Sequence, residues 1–142
     1  MTLVGRTRRV LDPQFVAAAV VALVVEIGLS ISTVPRVARL LGIRIASDTA
    51  AVPSGTVPDA EWIHRRSVEV HRVLRRWPFG NTCLRRALVL GQRIRRLDPV
   101  LVIGVRHDEA SQLSAHAWLV VGGFALDPLA ARYAPLRELT EA

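Results

Sequence analysis

The sequence has no lysine, a single cysteine at position 83, and an aromatic content of only 5%. Each scarcity removes a class of chemistry. One thiol cannot form an internal disulfide, a CxxC redox pair or a zinc site that needs two or more thiolates. Without lysine there is no Schiff-base nucleophile and no P-loop lysine. With few aromatics a base-stacking nucleic-acid platform is not expected. The net charge of +7, carried by 19 arginines, therefore does not by itself imply DNA or RNA. Long apolar runs are also scarce. The stretch from Phe15 to Ile31 is apolar, but only Val16 to Val25 is free of polar side chains. A membrane span wants about 20 apolar residues, and Glu26 would be costly in lipid. Arg6, Arg8 and Arg9 would suit a signal segment, but Glu26 lies inside the apolar region and no A-x-A site follows. We expect a buried or partner-covered helix here, with membrane contact possible but not favoured.

A length of 142 residues fits one domain with a small helical appendage. Thr33-Val34-Pro35 and Thr56-Val57-Pro58 are similar helix starts, each a hydroxyl just before a proline. Thr56 with Asp59 resembles a capping box. The first start opens a short helix with Val37, Leu40 and Leu41 as its stripe. Residues 42–58 read as a linker. The second start opens a helix to about Trp77, with Trp62, Ile63, Val70, Val73 and Leu74 at helical spacing. Residues 82–97 form another helix, with Cys83, Ala87, Leu90 and Ile94 on one stripe. Arg85, Arg86, Arg93 and Arg96 lie on its other, solvated side. Val100–Val105, Ser114–Val121 and Phe124–Asp127 read as strands, joined in the last pair by a Gly122-Gly123 hairpin. Tyr133, Leu136 and Leu139 have helical spacing in the tail. The fold class is thus α+β, with residues 1–58 helical plus linker and residues 59–142 a core of helices and strands, together one unit.

Cys83, His116 and Asp127 form the candidate chemical constellation. Cys83 falls in the first turn of its helix, with Asn81 or Thr82 as N-cap. Unpaired N–H groups and the helix dipole favour an anion there and can donate to a developing oxyanion. A two-residue turn pairs Val121 with Phe124 and Val120 with Ala125. His116, Trp118, Val120, Ala125 and Asp127 then share one face, since side chains alternate. His116 and Asp127 become diagonal neighbours within reach of each other. Cys83 would attack a carbonyl, His116 would move the proton, and Asp127 would orient His116. The arrangement resembles the papain and transglutaminase core.

Blander readings stand beside this one. A lone cysteine on an apolar stripe is usually a small core residue. A histidine in an apolar strand is often a satisfied structural group, and Asp127 before Pro128 could simply end a strand. One cysteine, one histidine and one aspartate could also hold zinc with an open site, although their spacing follows no metal motif, so no metal is expected. His64 and His71 stand about 10 Å apart along a helix, too far to share a metal. His107 lies in a polar loop. Trp77, Asn81 and Trp118 are candidates to line the site or assist the oxyanion, with Trp77 also a natural core residue.

Asn81-Thr82-Cys83-Leu84-Arg85-Arg86-Ala87-Leu88, Ile103-Gly104-Val105-Arg106 and Ala115-His116-Ala117-Trp118 occur in that order. Together they resemble the stand-alone, transglutaminase-like leader peptidases of lasso peptide biosynthesis. The likeness covers roughly residues 60 to 130 firmly. It implies a papain-like core, with the cysteine helix packed on a small antiparallel sheet. It implies a cytoplasmic bacterial cysteine peptidase, possible membrane association aside, that needs no cofactor and removes the leader from a precursor peptide. The family's catalytic residues fall on Cys83, His116 and Asp127. The implied partners are the precursor, a separate small leader-binding protein, and the ATP-using macrocyclase that closes the product; nucleic acid is not among them. The chain departs from the family at Leu119-Val120-Val121, where an acidic residue is common. It departs again at Leu97-Asp98-Pro99, where a glycine is common. A transglutaminase-type acyl transferase and a catalytically inactive scaffold remain open as alternatives.

Overall fold

Helix α1 (Pro13–Ile31) starts where the Asp12 carboxylate accepts from the Gln14 N–H at 3.0 Å. Pro13 follows at a position whose N–H would be unpaired anyway. The computed structural model describes residues 12–46, 57, 59–107 and 109–127, and the backbone of 134–135. One side of α1 is small and buried: Ala18, Ala22 and Val25 recur at helical spacing. It packs against α3 (Ala60–Leu74) and α4 (Cys83–Arg93). The other side, with Val20, Leu23, Val24 and Ile27, is exposed. By length and composition α1 could cross a membrane. It also belongs to the core that all the helices and the sheet share.

Helix α2 (Val34–Leu40) starts at the expected threonine–proline site, though Thr33 makes no side-chain cap bond. Leu40 does not join its apolar stripe; Val37 and Ala38 are buried and Leu40 is 84% exposed. The cause is a close helix approach. A Cβ on Gly28 would lie 2.9 Å from Val37 Cγ2, so α1's bare backbone receives Val37. Leu40, two residues beyond Ala38, then falls on the far side.

Residues 42–58 are not all linker. Arg44–Ile45 forms strand β1, parallel to β2 (Val100–His107). Two residues carry no readable period, and the slot that holds them is tertiary. Ile43 is buried against Gly91, where a Cβ would lie 2.6 Å from Ile43 Cδ1. Helix α3 starts at Ala60 with Asp59 as its N-cap, in the left-handed region at φ 51° and without a cap bond. Thr56 and Pro58 lie outside the described residues, so the expected Thr56–Asp59 box does too. The helix ends at Leu74 rather than Trp77. Pro78 disfavours a helical residue before it, and Trp77 N–H turns back to the Leu74 carbonyl at 3.1 Å.

Helix α4 sits at the centre. Thr82 is its N-cap, accepting from the Arg85 N–H at 3.3 Å. Ala87, Leu88, Val89 and Gly91 are buried on more than one side because α1, α3 and the sheet all pack on it. A 3-10 turn, Arg95–Leu97, follows, and Asp98 takes the left-handed position (φ 53°) that a glycine would fill more easily. Asp98 also pairs with Arg44 at 2.5 Å, at the surface.

The sheet has the order β1-β2-β3-β4, with β3 (Leu113–Val121) and β4 (Phe124–Ala125). It is mixed rather than antiparallel throughout, because β1 is parallel to β2. Strand β2 runs on through His107, so this histidine is not in a loop. Gly122 and Gly123 both have positive φ, 58° and 85°, as a tight two-residue hairpin requires. The tail is not helical at 134–135; this backbone forms strand β5 (Ala134–Pro135) against Gly104 and Val105 of β2. Tyr133, Leu136 and Leu139 lie outside the described residues. An open edge of β2 supplies backbone partners there, which outweighs a weak helical period.

Candidate active site

Strand alternation sorts the sheet residues. Leu101, Ala117, Leu119 and Val121 face the helices and share their core. Val102, Trp118 and Val120 form a second cluster on the reverse side. His116 has the parity of Trp118, and the two rings stack with centroids 5.9 Å apart. Across β2–β3 the residue opposite His116 is Gly104, which offers no side chain to crowd the imidazole. His116 is 7% exposed, the one polar residue among the buried side chains described.

The hairpin register is the one that side-chain counting requires. Val121 pairs with Phe124 and Val120 with Ala125, and the Leu126 N–H donates to the Leu119 carbonyl at 2.9 Å. His116 Nε2 then meets Asp127 Oδ2 at 2.6 Å. A carboxylate can only accept, so Nε2 carries the proton and Nδ1 is the other, basic nitrogen when the ring is neutral.

Cys83 is half-buried at the first residue of α4. Thr82 takes the Arg85 N–H, and the Arg86 N–H donates to the Thr82 carbonyl at 3.0 Å. The Cys83 and Leu84 N–H groups are the remaining first-turn donors, aimed off the helix end. A cavity of about 240 Å³ opens beside the thiol. Asp127, Trp118, Ala117, Leu126, Ser67 and Arg86 contribute to its walls. The structure therefore joins His116 and Asp127 directly and brings Cys83 and Asp127 to one cavity. No hydrogen bond joins Cys83 to His116. Trp118 lines the cavity as well as stacking on the histidine.

Trp77 and Asn81 are placed elsewhere. Asn81 is exposed in the loop before α4. Trp77 donates through Nε1 to Glu26 Oε2 at 3.2 Å and does not wall the cavity. This belongs to a network that the arginine pattern concealed. Arg85 is not on a solvated face; its Nε and Nη2 reach the two Glu26 oxygens at 2.8 and 3.0 Å. Arg93 is also half-buried, donating to Gln14. Burial, followed by the nearby Arg66 charge, pulls the Arg93 guanidinium below its ordinary pKa. The clue to the network was Glu26 itself, since a lone carboxylate in an apolar helix needs a partner. Among the described residues no three His, Cys, Asp or Glu side chains gather as a metal set.

The network ties α1 to the start of the cysteine helix. The Arg85 hydrogen bonds hold the Glu26 carboxyl below its usual range, against the opposing effect of burial, with Trp77 adding to the stabilisation. The same bonds raise Arg85. A depressed carboxylate contributes stability above its unfolded pKa of about 4.3 and loses it as the pH falls through the folded value. Wild type should therefore melt higher than Glu26→Gln at neutral pH, and the gap should narrow as the pH drops below about 4.3. Thermal melts across that range check this; a gap unchanged down to the most acidic sample would refute it.

Among curated proteins and among solved structures, none matches the chain. The family model described as "Transglutaminase-like superfamily" matches residues 27–139, a span that holds Glu26's neighbours on α1, the cysteine helix, the sheet and all three candidate residues. By that match the chain belongs to the transglutaminase-like superfamily.

Proposed function

We propose that the chain is a cysteine peptidase that removes the leader from a ribosomally made lasso precursor peptide. The observation that carries this reading is the 2.6 Å His116–Asp127 bond, beside a cavity that Asp127 shares with the helix-start thiol. Superfamily membership supports the cysteine chemistry, and the motif likeness around Cys83, Gly104 and His116 points to the substrate class.

In this mechanism, Nδ1 of His116 takes the Cys83 proton, and sulfur attacks the peptide carbonyl. The Cys83 and Leu84 N–H groups face the tetrahedral oxyanion. His116 returns the proton to the leaving amine as the C–N bond breaks, leaving a thioester. Water, deprotonated by His116, then releases the acid and restores the thiol. Catalysis requires the imidazole to close on the thiol, and such contacts often tighten only in the substrate complex. A separate leader-binding protein that delivers the precursor would provide that occasion. The exposed outer side of α1 is an apolar surface suited to this protein or to the ATP-using macrocyclase. The reaction belongs in the cytoplasm, where precursors are made.

The test combines purified protein, precursor and leader-binding partner, omits each in turn, and reads fragment masses. Leader and core fragments separated by one added water are expected only in the complete mixture. An amine adduct in place of the free acid would convert the reading to acyl transfer. Absence of any Cys83-dependent product would leave a scaffold.

A further inference from the structure

A second hollow of about 600 Å³ lies between α3 and α4. It shares Ser67, Arg86 and Leu90 with the cavity beside Cys83, so the two form one continuous groove. Helical spacing explains its walls. On α3, residues 64, 67, 68, 71 and 72 fall on one stripe that the C-cap residue 75 continues; on α4, residues 83, 86, 87 and 90 do the same. These stripes put Arg72, Arg75 and Arg86 at the rim, with His64 and His71 beside them. All three arginines are exposed, and none joins an ion pair among the described residues. Among the described residues, the second hollow has no aspartate or glutamate in its lining. Four other arginines are paired with carboxylates: Arg85 with Glu26, Arg66 with Glu69, Arg96 with Asp59 and Arg44 with Asp98. Arg72, Arg75 and Arg86 thus face one hollow with their charges uncompensated, and that hollow adjoins the cavity beside the thiol.

We propose that this groove is a substrate subsite that reads acidic side chains close to the bond cut at Cys83, with Arg86 at its junction with the catalytic cavity. The inference rests on the peptidase reading and adds a sequence preference to it. Guanidinium forks match carboxylates two bonds at a time, and a hollow rimmed by positive charge concentrates the opposite sign. From Cys83 to Leu90 the α4 wall runs about 10 Å, which an extended peptide covers in about three residues. The acidic residue therefore lies within about three to five residues of the scissile bond.

Binding is measured with Cys83→Ala protein and two fluorescent peptides, one bearing a Glu-Asp-Glu cluster and the other Gln-Asn-Gln. The acidic peptide should bind about tenfold tighter at low salt and lose that advantage as salt rises. Arg75→Gln with Arg86→Gln should remove the preference. Arg36→Gln with Arg39→Gln, exposed arginines on α2 that change the net charge equally, should leave it intact. Equal loss in both double variants, or equal binding of the two peptides, would overturn the subsite. So would tighter binding of a single-stranded oligonucleotide that Arg75→Gln/Arg86→Gln abolishes. The wild-type protein separates this inference from the one beneath it. An acidic peptide that binds through Arg75 and Arg86 but is never cut sustains the groove and defeats the peptidase. Cutting that ignores the acidic cluster defeats the groove alone.

Discussion

Cys83→Ala is expected to lower leader release at least about 10⁴-fold, to the level of a mixture without the protein. No other thiol and no lysine amine can replace it, since the chain has one cysteine and no lysine. The loss should fall on the chemical step, because the first-turn N–H groups and the cavity walls survive the change. Binding of the precursor should stay near wild type. The side chain is half-buried and makes no hydrogen bond among the described residues, so the melting temperature should move little. Residual cleavage at the same peptide bond by Cys83→Ala would assign the nucleophile elsewhere. His116→Ala should be equally inactive but less stable, because it leaves the partly covered Asp127 carboxylate without its imidazole.

Asp127→Asn should lower the turnover rate by about 10²- to 10⁴-fold with little change in precursor binding. The cause is the tautomer. With aspartate as acceptor, Nε2 holds the proton and Nδ1 is basic. An asparagine amide can donate to Nε2 instead, which moves the ring proton to Nδ1, where it cannot take one from Cys83. The imidazolium formed in the reaction also loses its facing negative charge. Turnover and binding measured separately check this, with a histidine tautomer assignment by nitrogen NMR as the second reading. Full activity in Asp127→Asn would reduce the 2.6 Å bond to a structural contact that closes the hairpin end.

Part of the site was legible because it depends on local rules. The Gly122-Gly123 pair sets a two-residue turn, and a period of two then places His116 and Asp127 on one face whatever else the chain does. Thr82 before an apolar helix sets the helix start and puts Cys83 at its first residue. The arginines were not legible in the same way. Arg85, Arg86 and Arg93 look alike in sequence, yet Arg85 turns to Glu26, Arg93 to Gln14, and Arg86 to an open groove. Their separate fates follow from where α1 lies across α4. That depends on the small side chains Ala18 and Ala22, whose pattern says only that something packs closely there.

The single cysteine, the hairpin count and the helix start singled out Cys83, His116 and Asp127 from sequence and put His116 and Asp127 on one sheet face, since turn geometry, strand alternation and capping are local. Tertiary structure alone decided that β1 lies parallel to β2, that Leu40 is exposed, that Glu26 anchors Arg85, and that Arg72, Arg75 and Arg86 line one hollow next to the thiol's cavity. Each of these depends on contacts between separate elements, formed by close approaches at Gly28 and Gly91 and by the fit of α1 on α3 and α4. A single sequence carries no period that announces such contacts.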